Sequence, residues 1–160
     1  MFRPDGYAPR LSRVSLDDLA ARGFRGIIVD LDNTLVGYGV HDLAEEDRAW
    51  VANARDHGFG ICLVSNNFTG RVERICTDLG VPGISSALKP LPRGFLAALK
   101  VLGTPRAATV VVGDQLFTDV LGAKILGLHA ILTEPLVAKD WLGTRVLRFL
   151  ERLLLGRRPT

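Results

Sequence analysis

The sequence has few of the residues that stabilise small proteins through disulfides or zinc. Its 160 residues include two cysteines, Cys62 and Cys76, and three histidines, His41, His57 and His129. The cysteines lie in apolar or helical surroundings without CxxC spacing, and each histidine is isolated in the sequence. We therefore expect reduced thiols that pack in the protein, and neither a disulfide framework nor a zinc site.

Long hydrophobic runs are also missing. The N-terminal stretch MFRPDGYAPR has no apolar core of the kind that a secretion signal needs. No uninterrupted apolar run reaches the roughly 18 residues expected of a membrane span. We expect a cytoplasmic protein, with peripheral contact to the inner face of the membrane as an open alternative.

Aromatic residues make up only 7% of the chain, and the net charge of +3 lies in its C-terminal tail. From residue 140 to the end, five arginines accompany two acidic residues, whereas the first 139 residues carry 15 basic and 15 acidic side chains. A nucleic-acid-binding surface needs a broad basic face with aromatic side chains for stacking. We therefore expect no nucleic-acid partner.

Strand-like and helix-like segments alternate along the chain. Short apolar or β-branched runs predict buried parallel strands at 24–31, 58–65, 109–114 and 129–133, with a weaker strand at 83–87. Helices are predicted at 43–57, 69–79, 91–102, 117–126 and 138–155. A short amphipathic segment at 15–23 precedes the first strand. This order predicts one α/β domain over 1–160, with a doubly wound (Rossmann-like) parallel sheet of about five strands.

Polar side chains follow the predicted strands where each strand ends, and together they offer carboxylates, hydroxyls, amides and an ammonium group. They are Asp30, Asp32, Thr34, Ser65, Asn66, Asn67, Lys89, Asp114 and Asp119. In a sheet of this kind, ligands bind beyond the carboxyl ends of the strands. Clustered aspartates without thiols or imidazoles suit Mg²⁺, and the lysine adds a positive charge for a phosphoryl group. Such a set is suited to phosphoryl transfer through a carboxylate nucleophile.

The motifs DLDNTL, VSNN, KP and GDQLFTD, in this order, resemble the four motifs of the haloacid dehalogenase (HAD) superfamily. The resemblance implies that Asp30 is the nucleophile and a Mg²⁺ ligand. It implies that Asp32 is the acid and base of the reaction, with its backbone carbonyl on Mg²⁺. It also implies that Asp114 completes the metal site and that Asp119 orients Lys89 or a metal-bound water.

The resemblance further implies that Ser65 and Lys89 hold the phosphoryl oxygens, with Asn66 and Thr34 as additional phosphate-binding candidates. Two alternatives stay open for these loops. Ser65 is also a suitable cap for the helix that follows the second strand. The side chains of Asn66 and Asn67 either contact the substrate or shape the turn.

The short gaps between the motifs leave no room for a cap domain. In this respect the chain resembles the capless subfamily III of the superfamily. Together with the closing TRVLRFLERLLL, the motifs look like the YqeG-type subfamily IIIA phosphatases, a group related to phosphatidylglycerophosphate phosphatases. The implied function is Mg²⁺-dependent hydrolysis of phosphatidylglycerophosphate at a membrane surface. The same chemistry on a soluble sugar or nucleotide phosphate is an alternative. A phosphoacceptor signalling module is a further, non-enzymatic alternative.

The C-terminal segment 139–155 has the spacing of a basic amphipathic helix. Its apolar positions share one face, and Arg145, Arg148 and Arg152 lie on a neighbouring face. Such a helix either packs its apolar face on the sheet or lies in a membrane interface and attracts anionic lipid. The arginines are therefore candidates for peripheral membrane contact.

Overall fold

A computed structural model describes residues 3–37, 42–68 and 70–137 of the chain. The helix predicted at 138–155, with its candidate lipid-binding arginines Arg145, Arg148 and Arg152, lies outside the described residues. His41 lies outside them as well.

One parallel sheet forms the centre of the described structure. Its strands are β1 (Gly6–Ala8), β2 (Gly26–Asp30), β3 (Gly60–Val64), β4 (Gly83–Ile84), β5 (Thr109–Gly113) and β6 (His129–Thr133). The strand order across the sheet is β1-β6-β5-β2-β3-β4. The predicted α/β class and doubly wound parallel sheet are confirmed.

The described sheet has six strands rather than about five, because β1 was not predicted. This strand is only the tripeptide Gly-Tyr-Ala at the sheet edge, where it pairs with β6. The weak strand predicted at 83–87 is shorter than expected and keeps only Gly83–Ile84. Beyond it the backbone leaves the extended region, since Ser86 has a φ of 52°.

The helices lie between the strands along the chain. They are α1 (Leu16–Ala21), α2 (Glu45–Asp56), α3 (Arg71–Leu79), α4 (Pro92–Leu102) and α5 (Leu121–Ile125). Gly80 and Gly103 end α3 and α4 in the left-handed conformation that glycine adopts without a Cβ clash. The helix predicted at 117–126 is divided into a π-helical turn at Leu116–Val120 and α5. Such π turns are frequent at functional sites.

Two apolar clusters pack on opposite faces of the sheet. Ile27 and Val29 of β2 belong to the cluster that includes residues of α1, α2 and α3, whereas Ile28 belongs to the cluster with α4 and α5. Successive side chains of a strand point to opposite faces, so Asp30 has the same orientation as Ile28. The nucleophile candidate therefore stands at the end of the strand on the α4 and α5 face.

The connections on either side of β3 are short in the described residues. Helix α2 is the described element between β2 and β3, and α3 is the one between β3 and β4. In the described part of the chain, no helix has both the length and the apolar character needed to cross a membrane.

Cys62 and Cys76 are free thiols, as expected. Burial raises the pKa of Cys62 to about 12 and that of Cys76 to about 11. Both thiols therefore stay protonated at neutral pH, where a reactive cysteine would need a thiolate.

Candidate active site

The loop after β2 folds back over the last residue of that strand. The backbone N–H groups of Leu35 and Val36 both donate to the carbonyl of Leu31, at 3.2 and 3.0 Å. This tight turn brings the Thr34 hydroxyl to Oδ2 of Asp30, to which it donates at 3.1 Å. Both side chains are buried, with exposed fractions of 1% and 6%. The carboxylate of Asp30 is thus fixed from its own loop.

Asn33 holds this loop from the other side. Its backbone adopts a left-handed φ of 66°, which asparagine tolerates better than most residues. Its side-chain amide makes two hydrogen bonds of 3.1 Å to the backbone of Val137, and its carbonyl accepts from the N–H of Leu136 at 3.0 Å. The turn that carries Thr34 is therefore anchored to the segment that follows β6.

Three buried carboxylates meet at the carboxyl edge of the sheet. Asp30 ends β2, Asp114 follows β5, and Asp119 lies in the π-helical turn. Each of them offers an oxygen atom within 4.8 Å of the others. The hydroxyl of Thr34 also lies 3.4 Å from Oδ1 of Asp114. The predicted strand-end residues Asp30, Thr34 and Asp114 are thus brought together in the structure.

Lys89 supplies a buried ammonium group to this cluster. Its Nζ donates to Oδ1 of Asp30 at 2.5 Å and to Oδ1 of Asp119 at 2.6 Å. The contact with Asp119 is the one that the sequence prediction named. Whether Asp119 tunes catalysis through this contact stays a prediction.

Gly113 makes room for Asp119. A Cβ atom at this position would lie 2.3 Å from the Cγ atom of Asp119, which is closer than any real contact of this kind. The other oxygen of Asp119, Oδ2, accepts from the N–H of Gln115 at 3.2 Å. The last residue of β5 therefore has to be small for the carboxylate to reach over the strand end to Lys89.

The three carboxylates and the ammonium group of Lys89 together carry a net negative charge when all are ionised. Burial raises the pKa of Asp30 well above its ordinary value, and the charge of Asp119 acts in the same direction, while Lys89 opposes both. Burial alone would lower the pKa of Lys89, but the carboxylates of Asp119 and Asp30 raise it overall. With all groups ionised, three carboxylates surround one ammonium. Such a surplus of buried oxygen ligands with negative charge fits a divalent cation.

Asp32 lies beside this cluster with separate partners. Its Oδ2 accepts from the hydroxyl of Ser65 at 2.7 Å, and its Oδ1 accepts from Nη1 of Arg71 at 3.1 Å. The side chain of Asp32 is 20% exposed and that of Arg71 is 14% exposed. The predicted acid and base therefore stands in a polar, partly accessible position.

Arg71 was missed in the sequence analysis. It is the first residue of α3, and its Nη2 also donates to the carbonyl of Gly37 at 2.9 Å. Its planar guanidinium group thus joins Asp32 to Gly37 in the loop after β2. The sequence signal was weak: a cation in the first turn of a helix is unfavourable to the helix dipole, but exposed Arg93 also lies in the first turn of its helix, α4.

Ser65 and the two asparagines that follow it hold the loops together. The hydroxyl of Ser65 accepts from the N–H of Asn67 at 3.0 Å. Helix α3 begins at Arg71 after Gly70, so the alternative that Ser65 caps this helix is wrong. The amide of Asn66 binds the backbone N–H and carbonyl of Lys89, at 2.7 and 3.1 Å. This is the turn-shaping role that was left open. A contact of Ser65 or Asn66 with phosphate stays a prediction.

Comparisons with known proteins address the identity of this site. The family model described as "haloacid dehalogenase-like hydrolase" matches residues 41–127, which is more than half of the chain. The protein named "Probable phosphatase YqeG" of Bacillus subtilis (strain 168) is 36% identical over 155 residues, which cover 97% of this chain and 90% of that protein. The chain belongs to the haloacid dehalogenase-like hydrolases. It is thus a phosphoric monoester hydrolase of HAD type.

Two further proteins show how far the likeness extends. "Phosphatidylglycerophosphate phosphatase 1, chloroplastic" of Chlamydomonas reinhardtii is 25% identical, over 96% of this chain and 61% of that protein. The cobalt-bound form of the deoxy-D-mannose-octulosonate 8-phosphate phosphatase YrbI of Haemophilus influenzae shares the fold, with a TM-score of 0.55 and 14% identity. That match covers 84% of this chain and 88% of that chain. HAD phosphatases typically use a divalent metal, and the buried acidic cluster fits this requirement.

Proposed function

We propose that this HAD phosphatase is a Mg²⁺-dependent phosphomonoesterase of subfamily IIIA that forms an aspartyl-phosphate on Asp30. The observation that carries the proposal is the contact of the buried Asp30 carboxylate with Lys89 inside a cluster of three carboxylates. Asp30 and Asp114, with the backbone carbonyl of Asp32, would hold the cation. When bound, the cation would offset the carboxylate charges and the charge of the phosphate.

The first half of the proposed reaction is transfer of the phosphoryl group to Asp30. A carboxylate oxygen of Asp30 attacks phosphorus, and the bond between phosphorus and the ester oxygen breaks. Asp32, in its protonated form, gives its proton to the departing alkoxide. Lys89 and Ser65 stabilise the charge on the phosphoryl oxygens, while the hydroxyl of Thr34 orients Asp30.

The second half is hydrolysis of the aspartyl-phosphate. Asp32, now ionised, takes a proton from a water molecule that attacks phosphorus. The bond between phosphorus and Asp30 breaks, and inorganic phosphate leaves together with the regenerated carboxylate. Arg71 holds Asp32 by a side-chain contact of 3.1 Å, and this contact supports a fixed position for the acid and base through both halves.

We propose phosphatidylglycerophosphate, a lipid with a terminal phosphate, as the substrate. The likeness to the algal phosphatidylglycerophosphate phosphatase along nearly the whole chain supports this choice. The short connections around β3 support it as well, since an uncapped site leaves space for a headgroup that stays attached to its membrane. We further propose that the enzyme works peripherally at the membrane, where Arg145, Arg148 and Arg152 are candidate lipid contacts.

Phosphate release by the purified full chain tests this proposal. Phosphatidylglycerophosphate in mixed micelles is compared with a panel of soluble phosphomonoesters, in Mg²⁺ and with the Asp30→Asn variant as the inactive control. A large preference for the lipid supports the proposal. Preference for a soluble sugar or nucleotide phosphate keeps the roles of Asp30 and Asp32 but overturns the lipid substrate. Equal release by wild type and Asp30→Asn overturns the nucleophile.

A further inference from the structure

Three large apolar side chains stand in water on the loops that enclose Lys89. Phe68 has an exposed fraction of 77%, Leu91 of 57% and Leu88 of 44%. We refer to these three residues as the apolar rim. Leu88 directly precedes Lys89, Leu91 follows it by two positions, and Phe68 follows Ser65 by three. Exposed apolar side chains that gather beside a functional site are typical of an interaction surface.

Hydrogen bonds connect the loops that carry the apolar rim. The side chain of Asn66 binds the backbone of Lys89 at both its N–H and its carbonyl, and the N–H of Ser86 donates to the carbonyl of Asn67 at 3.0 Å. The two loops therefore form one unit. This unit holds the buried Lys89 in the site and also carries the exposed side chains of the apolar rim.

The stretch of sequence that carries Leu88 and Leu91 has charge of one sign. The sequence contains no aspartate or glutamate between Asp78 and Asp114. The basic residues of this stretch are Lys89, Arg93, Lys100 and Arg106. Arg93 is exposed and lies in the first turn of α4, two positions after Leu91. Exposed apolar side chains together with the exposed cation Arg93 match the boundary of an anionic bilayer, which offers acyl chains and phosphates.

We propose that the apolar rim, together with Arg93, is the face by which this phosphatase seats on an anionic phospholipid bilayer. Seated in this way, the carboxyl edge of the sheet meets the headgroups, and the lipid substrate does not have to leave the membrane. This inference rests on the proposed lipid substrate and adds the surface that reaches it.

A second copy of the chain fits this face less well. A two-fold contact centred on the rim would bring the same surface of both copies together. Arg93 and its copy would then approach each other, and the stretch from residue 79 to residue 113 that carries them has no acidic side chain to offset them. An anionic bilayer supplies that negative charge.

Vesicle flotation of the full chain, without Mg²⁺ and without substrate, tests the docking face. The vesicles contain phosphatidylcholine, with or without phosphatidylglycerol. The double variant Phe68→Gln/Leu91→Gln should lower the partition coefficient about tenfold or more, because two apolar side chains no longer enter the interface. Arg93→Gln should lower it about fivefold, and only on vesicles with phosphatidylglycerol. Circular dichroism and turnover of a soluble phosphomonoester verify that each variant is folded.

Ile125→Gln is the matched control. Ile125 lies at the end of α5, and its exposed fraction of 56% is close to that of Leu91. Its substitution should change the partition coefficient less than about twofold, because it lies away from the loops around Lys89. An equal loss of binding in this control and in the double variant would overturn the inference.

The remaining outcomes separate this inference from the proposed function. Wild-type protein that does not bind the vesicles, or a double variant that binds as well as wild type, overturns the docking face whatever the substrate is. A wild-type dimer that becomes monomeric in the double variant, with no vesicle binding, assigns the face to a second copy and also overturns it. Vesicle binding with the expected pattern, but without hydrolysis of phosphatidylglycerophosphate, supports the docking face and refutes the proposed substrate.

Discussion

Buried carboxylates occur at two places in the described residues, and their surroundings differ. Asp47 on α2 has no exposed surface, and its Oδ2 accepts from Nη2 of Arg10 at 2.7 Å. Arg10 also pairs with Glu46, whose side chain is 53% exposed. Asp30, by contrast, shares one ammonium with two other buried carboxylates.

Burial raises the pKa of Asp47 as it raises that of Asp30, so burial by itself does not separate the two places. The difference lies in the charge balance. Asp47 is the buried carboxylate that contacts Arg10, whereas Glu46, the other partner of Arg10, is exposed to water. The guanidinium group therefore compensates the charge of Asp47 and makes a structural contact. The cluster around Asp30 has more negative charge than its lysine can offset, which suits a further cation. A surplus of like charge, and not burial, distinguishes the candidate site.

Asp30→Asn should give the largest effect. We expect turnover to fall by at least about 10³-fold, because an amide cannot take the phosphoryl group. The melting temperature should stay the same or rise, since the substitution removes one of three mutually repelling carboxylates while Lys89 keeps Asp119. Phosphate release and thermal unfolding measure the two quantities. Retained turnover would refute the assignment of the nucleophile.

Removal of divalent metal should give the next largest effect. We expect excess EDTA to abolish phosphate release and added Mg²⁺ to restore it. Because a ligand stabilises the folded state that binds it, saturating Mg²⁺ should also raise the unfolding free energy of wild type by about 2–3 kcal/mol. Asp114→Asn should lose most of this increase. Activity that persists in EDTA would contradict the requirement for a metal.

Arg71→Lys should have an intermediate effect on turnover. Lysine keeps the charge but cannot bridge Asp32 and the carbonyl of Gly37 with one planar group. We expect kcat to fall about 10- to 100-fold with a smaller change in KM, because the acid and base is less well positioned. Arg74→Lys, in an exposed position of the same helix, is the matched control. Equal kinetics in both variants would show that Arg71 has only a structural role.

Asp47→Ala tests whether the buried contact between Asp47 and Arg10 is purely structural. We expect the unfolding free energy to fall by about 1–3 kcal/mol, because Arg10 loses its buried acceptor, while turnover stays unchanged. Urea unfolding measures the change. Glu46→Ala is the control, since this exposed pair with Arg10 should contribute less than about 1 kcal/mol. A loss of turnover in folded Asp47→Ala would contradict a purely structural role.

The smallest effect on stability should come from His129, which lies in neither of the two places with buried carboxylates. Burial lowers the pKa of His129, although the neighbouring Asp5 opposes this shift. The unfolded chain therefore binds a proton at this residue more readily than the folded chain does. As a result, the unfolding free energy should decrease as the pH falls below about 6.5. His129→Gln should make this decrease shallower, and urea titrations at several pH values measure it.

The central part of the fold could be predicted from the sequence because its strands are apolar on both faces. The predicted strand at 24–31 contains β2, and the one at 129–133 has the bounds of β6. The strand ends then indicated which polar residues meet at one edge. By contrast, β1 has only three residues, and its pairing with β6 depends on a partner more than 120 positions away.

The contacts between loops could not be predicted, because tertiary packing decides them. Asn33 binds Val137 across 104 positions, and Asn66 binds the backbone of Lys89 across 23 positions. A polar side chain near a strand end is consistent with a ligand contact or with a loop contact, and the sequence does not separate the two. The same holds for Arg71, whose bond to Asp32 spans 39 positions.

The close approach of Asp119 to Gly113 has a consequence for sequence variation among related chains. Gly113 does not have a positive φ, so its backbone alone would accept alanine or serine. The side chain of Asp119 forbids one, from its Cβ outward: its Cγ, Oδ2 and Cβ atoms would lie 2.3, 2.4 and 2.5 Å from a Cβ at Gly113. Replacing the acid by another residue would therefore leave the clash with its Cβ in place. Homologues that keep this turn should keep glycine at the end of β5 whichever side chain follows at position 119.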